Sequence, residues 1–151
     1  MIGHYRNLFD FTAWADGAVV KSFGEWAAVP PKCLALMAHI AAVQQEWLSR
    51  IWTQQPAPPA IWPAWTVAEC GEQSRKAHAN WKTYLGSLTD ADLPVEREYK
   101  NMAGGPYRTP LQDIMVHVVN HSTHHRAQLV SAARAEGLTP PRTDYIIYVR
   151  L

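Results

Sequence analysis

Residues Thr109–Gly137 read TPLQDIMVHVVNHSTHHRAQLVSAARAEG, and the spacing within this stretch decides the fold. Leu111, Ile114, Val118, Leu129 and Ala132 fall on one stripe when each residue turns about 100° about a helix axis. Thr109-Pro110-Leu111-Gln112 reads as a capping box with proline at the first helical position. At the other end Gly137 supplies a left-handed cap with Leu138 beyond it. The stretch is therefore one long amphipathic helix.

Four of the chain's seven histidines lie in this helix, at His117, His121, His124 and His125. The spacing places His121 and His125 in the middle of the stripe, four residues apart, so that the rings stack one turn above the other and can share a metal ion. His117 and His124 fall on a flank. A pair of this kind needs a third ligand from elsewhere, because three protein ligands and one open position are the usual complement of a catalytic zinc-type site. His39 is the best placed, beside Leu36, Ile40 and Val43 on the inward face of its own helix. His78 falls at the edge of another stripe, and His4 sits near the terminus. A single inward histidine is more often a hydrogen-bonded core residue. For three inward imidazoles one metal satisfies all the ring nitrogens at once, which favours metal binding.

Outward from this helix, prolines and glycines cut the chain into three further helical stretches, with no internal repeat. The first, about Tyr5 to Trp26, carries Tyr5, Leu8, Phe9, Thr12, Ala15, Val19 and Phe23 at helical spacing and stops before Pro30-Pro31. The second, about Cys33 to Thr53, repeats the pattern through Leu36, Ile40, Val43, Trp47 and Ile51. The third opens with the capping box Thr66-Val67-Ala68-Glu69 and runs through Ser74, Ala77, Trp81 and Leu85 to about Leu88. Between Leu93 and Arg108 the period becomes two, and Gly104-Gly105 permits positive φ, which fits a small β-hairpin. The tail Thr143 to Leu151 is a strand or a short packed segment. The expected fold is all-α, one domain over residues 1–151: a four-helix bundle with a small hairpin before the last long helix.

Composition narrows the function. The chain has 151 residues, 48% hydrophobic, which suits one core. With 14 Lys+Arg against 13 Asp+Glu the net charge is +1, without the basic footprint of a nucleic-acid binder. No apolar run is long enough for a membrane span or a signal-peptide core, so a cytoplasmic protein is expected. Cys33 and Cys70 lack metal-type spacing and fit core packing in a reducing compartment. With no evident base beside them, they offer no protein nucleophile.

The segment Val116 to Leu129, VHVVNHSTHHRAQL, resembles the signature of the DinB family of metal-binding four-helix bundles, with Ala127 where that signature has glycine. Phe11-Thr12-Ala13-Trp14-Ala15-Asp16 is similar to the family's first-helix motif. Met37-Ala38-His39-Ile40 and Gln45-Glu46-Trp47-Leu48 resemble its second, and Thr143-Asp144-Tyr145-Ile146-Ile147-Tyr148 its C-terminal segment. The resemblance implies metal ligands at His39, His121 and His125, the same three residues that helix geometry selects. Alanine at 127 is the better helix former and leaves those ligands in place. Characterised relatives include thiol-dependent S-transferases and a thiol-dependent isomerase, so the resemblance implies a divalent ion, zinc or nickel first, and a low-molecular-weight thiol. With the aromatic surplus it also points to a homodimer.

The leading expectation is a metal-dependent enzyme acting on a small-molecule substrate, in which the ion activates a cofactor thiol for S-transfer. Activation of water, giving a hydrolase, and a non-catalytic metal-binding stress-response module are the alternatives. A di-iron bundle would need paired bridging carboxylates that the chain lacks. Asn120 and Gln128 flank the ligands and either orient them or stand as exposed amides. Glu46, seven residues after His39, is a general base or, more commonly in such positions, a salt-bridged carboxylate. Trp14 and Trp47 line a substrate pocket or pack in the core. Arg126 meets an anionic thiol or a substrate carboxylate, or forms a surface ion pair.

Overall fold

In the computed structural model, which describes residues 1–151, the apolar stripes become four long helices: α1 (Ile2–Glu25), α2 (Pro31–Ile51), α3 (Val67–Gly86) and α4 (Leu111–Ala135). A two-stranded antiparallel hairpin, β1 (Glu96–Lys100) and β2 (Pro106–Pro110), precedes α4. The tail, left open between strand and packed segment, forms a single helical turn, α5 (Tyr145–Tyr148). None of the helices is long and apolar enough to cross a membrane.

The side-chain pairings fix the directions. Arg6 donates to the Leu85 carbonyl and Asp16 meets His78, so α1 and α3 are antiparallel. Cys33 faces Leu129 and Gln44 faces Ser122, so α2 and α4 are antiparallel too. Trp81 donates its indole N–H to the Gln44 carbonyl, while Cys33 and Cys70 share the far end of the core; α2 and α3 therefore run the same way. The connection between them, residues 52–66, must travel back along the bundle, and this return brings Ile61 and Trp62 past His39.

Local signals account for the start of α3 and the end of α4. The Thr66–Glu69 capping box forms as expected, with the Glu69 N–H bonded to Thr66 Oγ1 and the Thr66 N–H to the Glu69 carboxylate. Gly137 has φ +74 and closes α4, with the Leu138 N–H returning to the Ala133 carbonyl. The start of α4 differs from expectation. Thr109 does not cap it; its hydroxyl meets the Tyr99 hydroxyl at 3.1 Å, and Pro110 ends β2 opposite Glu96. The first free amides of α4, at Leu111 and Gln112, donate to the carbonyls of Val95 and Leu93. Strand pairing thus takes the residues that a capping box would have used.

The interior is divided. One apolar cluster gathers Phe9, Leu48, Trp81, Leu85, Leu111, Met115 and neighbours; another gathers Val19, Phe23, Cys33, Met37, Ile40, Leu129 and Ala133. Replacing any one of the buried leucines by alanine costs on the order of 2–5 kcal/mol. Between the clusters lies a polar belt of Thr12, Asp16, Gln44, Ser74, Ser122 and Arg126, all buried. Both cysteines are free and buried.

Candidate metal centre

The belt sets the rotation of α4. Arg126 Nη1 donates to Asp16 Oδ1 at 2.6 Å, with both side chains almost fully excluded from solvent. Asp16 Oδ2 accepts from Gln44 Nε2 at 3.0 Å and from His78 Nε2–H at 3.1 Å, and Gln44 also donates to Ser122 Oγ. Burial raises the Asp16 pKa, but Arg126, His78 and the hydrogen bonds outweigh it and hold the carboxyl below its ordinary value. A buried ion pair with every oxygen used is specific in geometry, whatever its net contribution to stability.

With Ser122 and Arg126 facing inward, the preceding residues, His121 and His125, turn toward α2. The middle of the stripe thus belongs to Ser122 and Arg126, and the two histidines are half-buried at its margin, a correction to the spacing argument. There they meet buried His39. Ring centroids are 4.4 Å apart for His121 and His125, 4.6 Å for His39 and His125, and 5.0 Å for His39 and His121. One ring nitrogen from each falls within 4.8 Å of the others.

The other ring nitrogens show how the cluster is prepared. His39 Nδ1–H donates to the Ile61 carbonyl at 2.6 Å, and His125 Nδ1–H donates to Gln128 Oε1 at 2.8 Å. Each bond selects the tautomer whose Nε2 carries a lone pair. His121 Nδ1 is buried without a partner. A lone imidazole nitrogen in that position is costly, and a cation shared with its neighbours is one way to make the ring useful there. Burial, then the neighbouring imidazoles His125, His39, His117 and His124, push His121 down to about 3. Burial also lowers His39, against the Ile61 hydrogen bond. The rings of His39 and His121 are thus neutral near pH 7, the form that binds a metal.

Trp62 was not anticipated from sequence. Its indole stacks on the His39 ring at 3.7 Å and 5°, yet it remains 54% exposed. The only advance signal was an aromatic residue in a long proline-rich loop, Gln54 to Pro63. On the other side, His117 lies one turn before His121, exposed, with its ring edge-on to Trp47 at 5.0 Å and 5.9 Å from His121.

The remaining sequence candidates separate. Gln128 touches a cluster histidine; Asn120 is exposed. Glu46 is tied to Arg50 at 2.8 Å, and Arg50 lies over the Trp47 ring, so its carboxylate serves an ion pair. Trp14 packs on Phe11 and Tyr148, apart from every histidine ring. Arg126 is neither a surface ion pair nor available to an anionic ligand, because Asp16 holds it inside the bundle. His124 accepts from Gln128 Nε2 at 3.1 Å from an exposed position, and His78 belongs to the belt.

Comparison with known proteins agrees with this architecture. Residues 25–151 match the family model described as DinB family. The chain is 33% identical to the Protein DinB of Bacillus subtilis (strain 168) over 161 residues, covering 95% of this chain and 92% of that protein. In fold it is similar to the crystal structure of a DinB-like protein from Bacillus cereus ATCC 10987, with a TM-score of 0.59, 20% identity and 93% of each chain covered.

Proposed function

The chain belongs to the DinB family, and from that membership and its three convergent imidazoles we propose a divalent-metal protein, carrying zinc or nickel, that transfers a low-molecular-weight thiol to an electrophilic small molecule. One observation carries the reading. His39, His121 and His125 bring a ring nitrogen each within 4.8 Å, with two of the three rings already oriented by hydrogen bonds at Nδ1. Three donors of this type suit zinc, nickel, copper or iron, and a three-donor site of the catalytic kind keeps a position for an outside ligand.

When bound, such an ion supplies Lewis acidity, lowering the pKa of a thiol or of water. The chain's own residues do the rest. Ile61 and Gln128 hold the ring orientations, and the indole of Trp62 covers the face of His39. His117, one turn earlier on α4, and Trp47 of α2 extend the surface, offering an imidazole and an aromatic edge to whatever lies beside the cluster.

The test is metal content by mass spectrometry on untagged protein, comparing the native chain with His121→Ala and His125→Ala. About one divalent ion per chain, lost in both variants, is the expected result. The loaded protein is then incubated with a thiol panel and electrophiles, with thioether product read by mass. Native protein that stays folded without metal and takes up neither zinc nor nickel overturns the metal site. Loaded protein that hydrolyses but forms no thioether overturns the transfer reaction.

A further inference from the structure

The connection between α2 and α3 is fastened to the bundle at its ends and by one side chain between them. At one end the Asn80 amide donates to Gln55 Oε1; at the other, Trp65 packs on the apolar cluster that holds Cys33 and Leu129. The nine residues between, Pro56 to Ala64, read PAPPAIWPA. They make a single hydrogen bond to the rest of the chain, from His39 Nδ1–H to the Ile61 carbonyl at 2.6 Å. Their one flat aromatic stack is Trp62 on the same ring, at 3.7 Å. Both fastenings grip His39.

The composition of the segment suits this economy. A proline fixes its own φ and has no N–H to offer the bundle, so Pro56, Pro58, Pro59 and Pro63 stiffen the chain and reduce the entropy that it loses on docking. One hydrogen bond and one stacked pair still have to offset the ordering of nine residues, and that balance is close.

We propose that docking of this strap and binding of an ion at the histidine cluster are one coupled equilibrium, an inference that rests on the metal reading above. Docking covers a face of His39 and, through Ile61, keeps the proton on Nδ1, so that Nε2 has its lone pair free. An ion on Nε2 draws charge from the ring and makes Nδ1–H the stronger donor to Ile61. Each event favours the other by the same factor, as linkage requires. Residues that touch no histidine therefore tune the affinity, because a strap that is undocked for part of the time lowers it in proportion.

The experiment uses the full chain and zinc. Pro58→Gly with Pro59→Gly leaves the contacts to His39 in place and loosens the undocked strap; zinc affinity, measured by competition with a chelating indicator, is expected to fall roughly tenfold. Pro58→Ala with Pro59→Ala loses the same two rings but keeps a stiffer backbone, and weakens zinc less. Heteronuclear NOEs at Ala57, Ala60 and Trp62 rise when zinc is added to the native chain, and in metal-free His39→Ala they lie below those of the metal-free native chain. Native affinity in the glycine pair, equal losses in the glycine and alanine pairs, or strap order unmoved by zinc would each overturn the coupling. A native chain that takes up no zinc overturns the metal reading and the coupling with it, whereas unaltered strap order in His39→Ala overturns the tether alone.

Discussion

His125 donates its Nδ1–H to Gln128 Oε1 at 2.8 Å, three residues along the same helix. The same amide donates to His124 Nε2 at 3.1 Å, so Gln128 is held from two sides and its oxygen stays aimed at His125. The bond leaves Nε2 of His125 as the nitrogen with a lone pair.

Gln128→Leu removes this acceptor without disturbing the bundle. Metal affinity is expected to fall about 10–100-fold, measured by competition with a chelating indicator. Gln128→Glu keeps an acceptor and keeps the affinity. Equal affinity in the leucine variant would show that His125 needs no orienting partner.

Asp16→Ala leaves Arg126 buried and without its counter-charge. The expected loss is about 3–5 kcal/mol in chemical denaturation, because an unpaired charge in the core is far worse than no charge at all. The double variant Asp16→Ala with Arg126→Met recovers much of it. A recovery of that size identifies the unpaired guanidinium, and not the missing carboxylate, as the damage.

Trp62 reports on the centre directly. A paramagnetic ion such as copper or nickel added to the protein is expected to quench part of the tryptophan emission, and Trp62→Phe to abolish that part while leaving uptake intact. Because Trp62 is half in solvent, the substitution changes global stability by less than about 1 kcal/mol. Quenching unaltered in the variant would place the ion elsewhere.

The histidines dictate the acid limb of the metal-free protein. Folding lowers His121 from 6.5 to about 3, and His39 and His117 shift in the same direction. Between those values the unfolded chain binds protons that the folded chain refuses, so stability present above pH 6.5 drains away as the pH falls. Asp16 joins only below its ordinary value of 3.8. Urea midpoints should therefore decline from pH 6.5 down to the carboxylate range, and His121→Asn should flatten that decline. A bound ion adds stability to the folded chain alone, so loaded protein should show a higher urea midpoint than metal-free protein throughout this range.

How far the sequence could be read depended on where each partner lies. Helical spacing was enough to nominate His39, His121 and His125, because a period of 3.6 specifies which residues share a side of a helix. It misjudged depth. Ser122 and Arg126 take the innermost positions of α4 since Asp16, 110 residues away, supplies the charge that lets an arginine sit there. A signal was present: one acid at an inward position of α1 and one base at an inward position of α4, each in an otherwise apolar stripe, imply one another. Thr109 looked like a cap because the local residues fit one, but strand pairing claimed it first. Trp62 and the Ile61 carbonyl were out of reach, since a return loop has no period from which to infer contacts.

The polar belt at Asp16 also partitions how damage spreads through the protein. Leu85 and Leu129 belong to different clusters with the belt between them. Losses from Leu85→Ala and Leu129→Ala should simply sum, to within about 0.3–0.5 kcal/mol, whereas Leu85→Ala and Trp81→Phe, which share one cluster, should not. The two ends can thus accumulate substitutions independently, and a sequence drifting at one end leaves the packing at the other unaware of it.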